Sequence, residues 1–183
     1  MYAGGAIPVL LLAADLASGR IVEPVEAITL RTGWWALTLL LITLAVTPLR
    51  RLTGINAIAP LRRPLGLFAF FYATLHLLTY FGLDLFFDFG YIAEDILERP
   101  YITVGFTAWL LLLPLAITST RGWIRRLGRR WATLHRLVYA AAGLGVLHFL
   151  WLVKADTREP LLFAGILLIL LSLRLPAVRR LRR

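Results

Sequence analysis

The sequence predicts an all-α integral membrane protein: a bundle of six transmembrane helices, five full and one short, with both termini cytoplasmic. Three observations lead there. Hydrophobic residues make up 60% of the 183 residues, and the mean hydropathy is +0.78, well above a soluble globular domain. Apolar runs recur at close to the roughly 20 residues that hydrocarbon about 30 Å thick requires. The basic residues gather in alternate segments between those runs, as membrane topology demands. With short loops, such a chain is filled by one membrane domain, residues 1–183, with no separate soluble part.

The first apolar stretch, 3–17, is the weakest: it is short, contains Pro8 and Asp15, and has no basic residue before it. It is expected as a short first span, because a signal peptide would need a positively charged start. Five clearer spans follow at about 32–47, 64–83, 101–118, 131–153 and 160–173, each ending in charge, proline or glycine, as helix ends do. Arg50, Arg51, Arg62 and Arg63 lie between the second and third spans; Arg121, Arg125, Arg126, Arg129 and Arg130 lie between the fourth and fifth; Arg179, Arg180, Arg182 and Arg183 form the tail. Those segments are assigned to the cytoplasm. The alternate loops are acidic or mixed: Glu23, Glu26 and Arg31; then Asp84, Asp88, Glu94, Asp95, Glu98 and Arg99; then Lys154, Asp156, Arg158 and Glu159. Trp34, Trp35, Trp123, Trp131 and Trp151 fall near span ends, where indoles anchor helices at the membrane interface.

A net charge of +10 would suit nucleic acid, but its placement beside apolar segments points to membrane lipid as the partner and excludes nucleic acid. The absence of cysteine excludes disulfides, thiolate metal sites, iron–sulfur clusters and cysteine-attached haem. Any metal is left to histidine, carboxylate or backbone oxygen.

All three histidines, His76, His135 and His148, lie inside predicted spans. An ionisable group in hydrocarbon is costly and marks a functional site by default. The third and fifth spans run the same way. His76 lies eight residues before Asp84 and His148 six before Lys154, so at about 1.5 Å per residue they share a depth toward the outer leaflet. Two neutral imidazoles at one depth suit the two axial positions of a haem iron, which leaves the protein to tune potential and electron transfer. Each ligand needs its other ring nitrogen hydrogen-bonded, from Thr74, Thr79 or Tyr80 near His76, or from backbone carbonyls. Lys154 and Arg99 are the nearest cations for haem propionates.

His135 lies 13 residues before His148 (148 − 135), about 20 Å deeper on a straight helix, and cannot share that iron. The matching position on the third span is Arg63 (76 − 13), so no second bis-histidine pair is present. His135 is expected either to bond a neighbouring helix or to serve a second haem with another partner. A cytoplasmic donor site near His135, Arg62, Arg63 and the Arg121–Arg130 loop would suit a quinone headgroup or flavin phosphate. The loop Asp84–Glu98, the longest on the outer side, is the expected docking surface for an acceptor.

The stretches LRTGWWALTLLLITLAVTPLRR, RRPLGLFAFFYATLHLLTY, ERPYITVGFTAWLLLLPLAITST and LGRRWATLHRLVYAAAGLGVLHFLWLVK closely resemble the MsrQ (YedZ) family, within the ferric-reductase-like transmembrane superfamily. The resemblance covers about residues 23–176. It implies a multi-pass haem-binding subunit of the bacterial inner membrane that takes electrons from the quinone pool or a cytoplasmic flavin reductase. Its acceptor would be a periplasmic molybdopterin methionine-sulfoxide reductase, and that partner would do the catalysis. By matching motif it makes His76 and His148 the axial ligands of haem b and His135 the third family histidine. FMN enters by resemblance only, since no dinucleotide fingerprint is present. The family generally opens with a longer first span after basic residues, whereas this chain opens MYAGGAIPVLLL; a shortened first helix or a misassigned start is the expectation. The alternatives are a ferric reductase or NADPH-oxidase-like electron carrier, a histidine-based transporter, and a redox-silent scaffold. The spans that hold the histidines contain no carboxylate to line a proton or metal path.

Overall fold

The computed structural model describes residues 2–174 and is helical throughout. In chain order the α-helices are α1 (Tyr2–Ala17), α2 (Pro24–Thr53), α3 (Arg62–Thr79), α4 (Phe89–Glu98), α5 (Pro100–Ile117), α6 (Arg121–Leu127), α7 (Arg129–Leu134), α8 (Leu137–Leu152) and α9 (Arg158–Ser172). A 3-10 turn, Asn56–Leu61, leads into α3, and a π turn, Tyr80–Asp84, prolongs it. Among the described residues, four helical runs are long and apolar enough to cross a membrane: Pro24–Thr53, Asn56–Asp84, Pro100–Ile117 and Arg129–Leu152. α1 and α9 are shorter, and the arginine tail from Arg179 lies outside the described residues.

The helices differ from the predicted spans where ends are set by capping rather than by hydropathy. α2 covers 24–53 rather than 32–47 because Pro24 takes the first turn, where its missing N–H is harmless, and Gly54 stops the helix in a left-handed conformation at φ 74°. The predicted fifth span is interrupted: α7 ends at Leu134, and His135 and Arg136 form a turn before α8. The outer loop contains α4, whose N-cap Asp88 accepts from the Tyr91 N–H at 3.1 Å.

α2 packs chiefly against α3, and α5 against α8, with α2 also reaching α1, α8 and α9. It is the central element, with eight buried residues against three each in α3, α5 and α8. Leu37, Leu40, Leu41 and Leu44 of α2 meet Ala69 and Tyr72 of α3, Ala141 and Ala142 of α8, and Phe163 and Leu167 of α9 in one apolar cluster.

Two polar contacts attach the short helices to that centre. The Tyr72 hydroxyl accepts from the Val9 N–H at 3.1 Å and donates to the Gly5 carbonyl at 2.8 Å, entering the hydrogen-bond ladder of α1 beside Pro8. Tyr72→Phe is expected to destabilise the protein by about 1–3 kcal/mol, the cost of leaving such buried groups unpaired. Thermal unfolding in detergent measures this, and an unchanged midpoint would remove Tyr72 as the anchor of α1. At the opposite end, Pro48 has no N–H to offer the Leu44 carbonyl four residues earlier. Arg174 donates to that carbonyl and to the Leu170 carbonyl, its guanidinium 5.5 Å from the Tyr139 ring centre. It thereby ties α9 to α2 and α8.

Candidate haem-ligand site

His76 sits near the C-terminal end of α3 and His148 near that of α8. The structure brings their rings to 6.0 Å between centroids, with planes 76° apart. The equal depth counted from the sequence is therefore a spatial pair. Both residues are half-buried, between the two helix pairs α2/α3 and α5/α8.

Each ring is held by a backbone carbonyl of the neighbouring helix. His76 Nδ1 is 2.9 Å from the Thr29 oxygen on α2, and His148 Nδ1 is 2.7 Å from the Tyr101 oxygen on α5. A carbonyl can only accept, so each Nδ1 carries the proton and donates. Each Nε2 is then an unprotonated lone pair, the form a metal requires. Of the alternatives the sequence offered, the acceptors are backbone carbonyls and not the Thr74, Thr79 or Tyr80 side chains. Thr74 and Thr79 donate back to their own helix at Phe70 and Leu75, and Thr74 also accepts from the Trp109 indole at 3.0 Å.

The donor set fits a metal with two imidazole ligands. The two rings lie 6.0 Å apart and each presents an unprotonated Nε2, the donor chemistry that a haem iron would take. No group of three or more His, Cys, Asp or Glu is placed to hold a metal ion among the described residues. Haem, if bound, would take His76 and His148 as its protein ligands and need no further side chain.

Tyr101 is itself restrained. The buried Asp95 on α4, 5% exposed, accepts from the Tyr80 hydroxyl at 2.6 Å and pairs with Arg99 at 2.8 Å. Arg99 donates to the Tyr101 hydroxyl at 3.3 Å. That hydrogen bond and the Asp95 charge hold the guanidinium above its ordinary pKa. Arg99 is thus engaged within the protein, while Lys154 is exposed just beyond α8. Sequence reading placed Asp95 in a solvated acidic loop. Its spacing of four before Arg99 was the available signal.

His135 is not part of the pair. It lies in the turn between α7 and α8, at the arginine-rich end, with Trp131 stacked on it at 3.9 Å and Thr118 Oγ1 3.0 Å from its Nε2. The Thr118 hydroxyl spends its hydrogen on the Pro114 carbonyl at 2.6 Å, so His135 Nε2 must donate. Arg63 is exposed at the start of α3 at that same end.

The family described as ferric reductase like transmembrane component matches residues 32–146. A protein of Xanthomonas axonopodis pv. citri named protein-methionine-sulfoxide reductase heme-binding subunit MsrQ is 63% identical over 152 residues, 83% of this chain and 70% of its own length. A Rhodospirillum rubrum protein of the same name is 57% identical over 179 residues, 96% of this chain and 86% of its own. No solved structure matches. The four membrane-length helical runs and matches of this extent make one conclusion: the chain belongs to the ferric-reductase-like transmembrane family and, within it, to the MsrQ proteins.

Proposed function

We propose that the protein is a b-type cytochrome of the bacterial inner membrane, a single six-span domain that carries electrons from the quinone pool or a cytoplasmic flavin reductase. The acceptor is a periplasmic molybdopterin enzyme that reduces methionine sulfoxide in oxidised proteins. The single observation that carries this reading is the pair of imidazoles at 6.0 Å, each with Nδ1–H on a backbone carbonyl and Nε2 free. The relatives' name, heme-binding subunit of a methionine-sulfoxide reductase, supplies the cofactor and the system.

Haem b, held there by His76 and His148, would supply a one-electron redox centre. The chain's residues do the rest. The Thr29 and Tyr101 carbonyls fix the tautomer and orientation of His76 and His148. Lys154 is the cation left to meet propionates, since Arg99 is engaged with Asp95 and Tyr101. Phe70, Phe106 and Trp109 form a stacked aromatic wall between α3 and α5. The Asp84–Glu98 loop, with exposed Phe86, Phe87, Phe89 and Leu97 beside its carboxylates, presents the docking surface. Arg62, Arg63, His135 and the Arg121–Arg130 loop form the donor end. No residue is assigned to FMN.

Because the chain has three histidines and the pairing of His76 with His148 leaves none opposite His135, one haem per chain is proposed rather than two. His135→Ala is expected to leave haem content and the low-spin spectrum at wild-type values. The test is a reduced-minus-oxidised visible spectrum of detergent-purified protein with haem quantified per chain, on the wild type and on His135→Ala. A colourless protein after exposure to excess haem would sink the cytochrome reading. Two haems in the wild type falling to one in the variant would give His135 its own site. For the docking surface, electron delivery to the partner is compared with and without the Asp84–Glu98 loop, and unchanged delivery would remove it from that role.

A further inference from the structure

We infer that Gly33 and Gly105 are positioning residues for the two ligands, each giving an imidazole room to lie against the neighbouring helix with its Nδ1–H on the carbonyl one turn earlier. This rests on His76 and His148 as the haem ligands.

His76 donates to the carbonyl of Thr29, four residues before Gly33, and a Cβ built on Gly33 would stand 3.1 Å from both Nδ1 and Cε1 of His76. His148 donates to the carbonyl of Tyr101, four residues before Gly105. A Cβ on Gly105 would stand 2.6 Å from His148 Nδ1 and 2.9 Å from Cε1. The acceptor, the glycine and the ring thus form the same triangle twice. Donor and acceptor are 47 residues apart in both. A single offset relates the sets, since 101 − 29, 105 − 33 and 148 − 76 all equal 72. Without a gap, the same offset sets Ala69 on Ala141, both 1% exposed, and Leu75 on Leu147. The helix pairs follow it too, α2 with α3 and α5 with α8.

Chance packing could put one glycine beside one histidine, but the same spacing, the same carbonyl one turn back and the same empty Cβ position at both ligands mark a shared requirement. The requirement is geometric. An i, i+4 step on a helix puts the carbonyl of one residue and the Cα of the other on one face. A ring that bonds the first must lie across the second, where any Cβ would push it off. Glycine in a helix interior is destabilising relative to alanine, and neither residue caps a helix or has positive φ, so chain geometry gives no reason for it.

The two sites differ in tightness, which orders the outcomes. Gly105→Ala is expected to lower haem content by more than half and to shift the low-spin electron paramagnetic resonance g-values of what remains. Gly33→Ala is expected to retain more haem and to shift the g-values less. Gly143→Ala is the control on α8, because a Cβ there meets nothing within 4 Å, and it is expected to match the wild type. Thermal midpoint and gel-filtration profile are read on each variant, since a loss of fold alone would move these and not the g-values. Wild-type g-values and haem content in both Gly33→Ala and Gly105→Ala would overturn the inference, as would an equal change in Gly143→Ala. If Gly105→Ala does not fold, Gly33→Ala decides: a shifted g-value supports the inference and a wild-type one overturns it. His148→Ala, measured alongside, separates the two levels. A bis-histidine spectrum that survives it defeats the ligand assignment, whereas its loss together with unperturbed glycine variants defeats the positioning role alone.

Discussion

His148→Ala is expected to purify as a folded membrane protein that has lost its low-spin haem spectrum, and His76→Ala is expected to do the same. Removing a group that only hydrogen-bonds a metal ligand costs about 10–100-fold in metal affinity; removing the ligand itself costs more, so haem affinity should fall by upward of about 100-fold. Both variants should fail alike because the two rings are held alike, each Nδ1–H on a carbonyl at 2.9 or 2.7 Å. Neither ring holds the helices together, since the α2/α3 and α5/α8 contacts run through Leu37, Leu40, Ala69, Leu112 and Ala141. Fold and cofactor should therefore separate in the measurement. Exogenous imidazole, which can enter the space each ring vacates, should restore part of the spectrum. A variant that keeps the wild-type difference spectrum and haem content would show that its histidine is no ligand.

Counting from the span ends was enough to pair His76 with His148, because a helix rises by a fixed amount per residue and both spans run the same way. That backbone carbonyls could orient the rings was legible, but which carbonyls was not. The acceptors are main-chain oxygens of Thr29 and Tyr101, and a carbonyl leaves no mark on residue type. The one trace available was the recurrence at 72 residues, with Gly33 and Gly105 in register with the histidines. Span ends were misplaced for a related reason: hydropathy records what hydrocarbon tolerates, whereas Pro24 and Gly54 set where α2 starts and stops. The turn at His135 and Arg136 falls inside an apolar run with neither proline nor glycine at the break, so nothing in composition announced it. Asp95 was hidden by its company. Among Asp84, Asp88, Glu94 and Glu98 it reads as one more solvated acid, and only the fold makes it the buried one.

Asp95→Ala is expected to have the second largest effect, and of a different kind: destabilisation together with a haem that stays bound but is held differently. Its carboxylate accepts from Tyr80 at the end of α3 and from Arg99 at the start of α5. Deleting it leaves the half-buried Tyr80 hydroxyl without its acceptor, at the lower end of the about 1–3 kcal/mol that an unsatisfied buried group costs. The Arg99 share is small, because its side chain is 50% exposed and water replaces the partner. Asp95→Asn keeps an oxygen for Tyr80 and should recover most of the loss. The consequence for the site runs through Tyr101, whose hydroxyl is held by Arg99 and whose carbonyl takes the His148 proton at 2.7 Å. With that end of α5 loosened, the His148 ring should be held less firmly, while the His76 ring, bonded to α2, should not. The expected signature is a broadened or shifted low-spin resonance at near wild-type haem content, with a lower thermal midpoint in detergent. A lower midpoint with unchanged resonance would confine Asp95 to holding the helix ends together. Unchanged values of both would mean that the buried carboxylate, for all its contacts, bears on neither fold nor ligand.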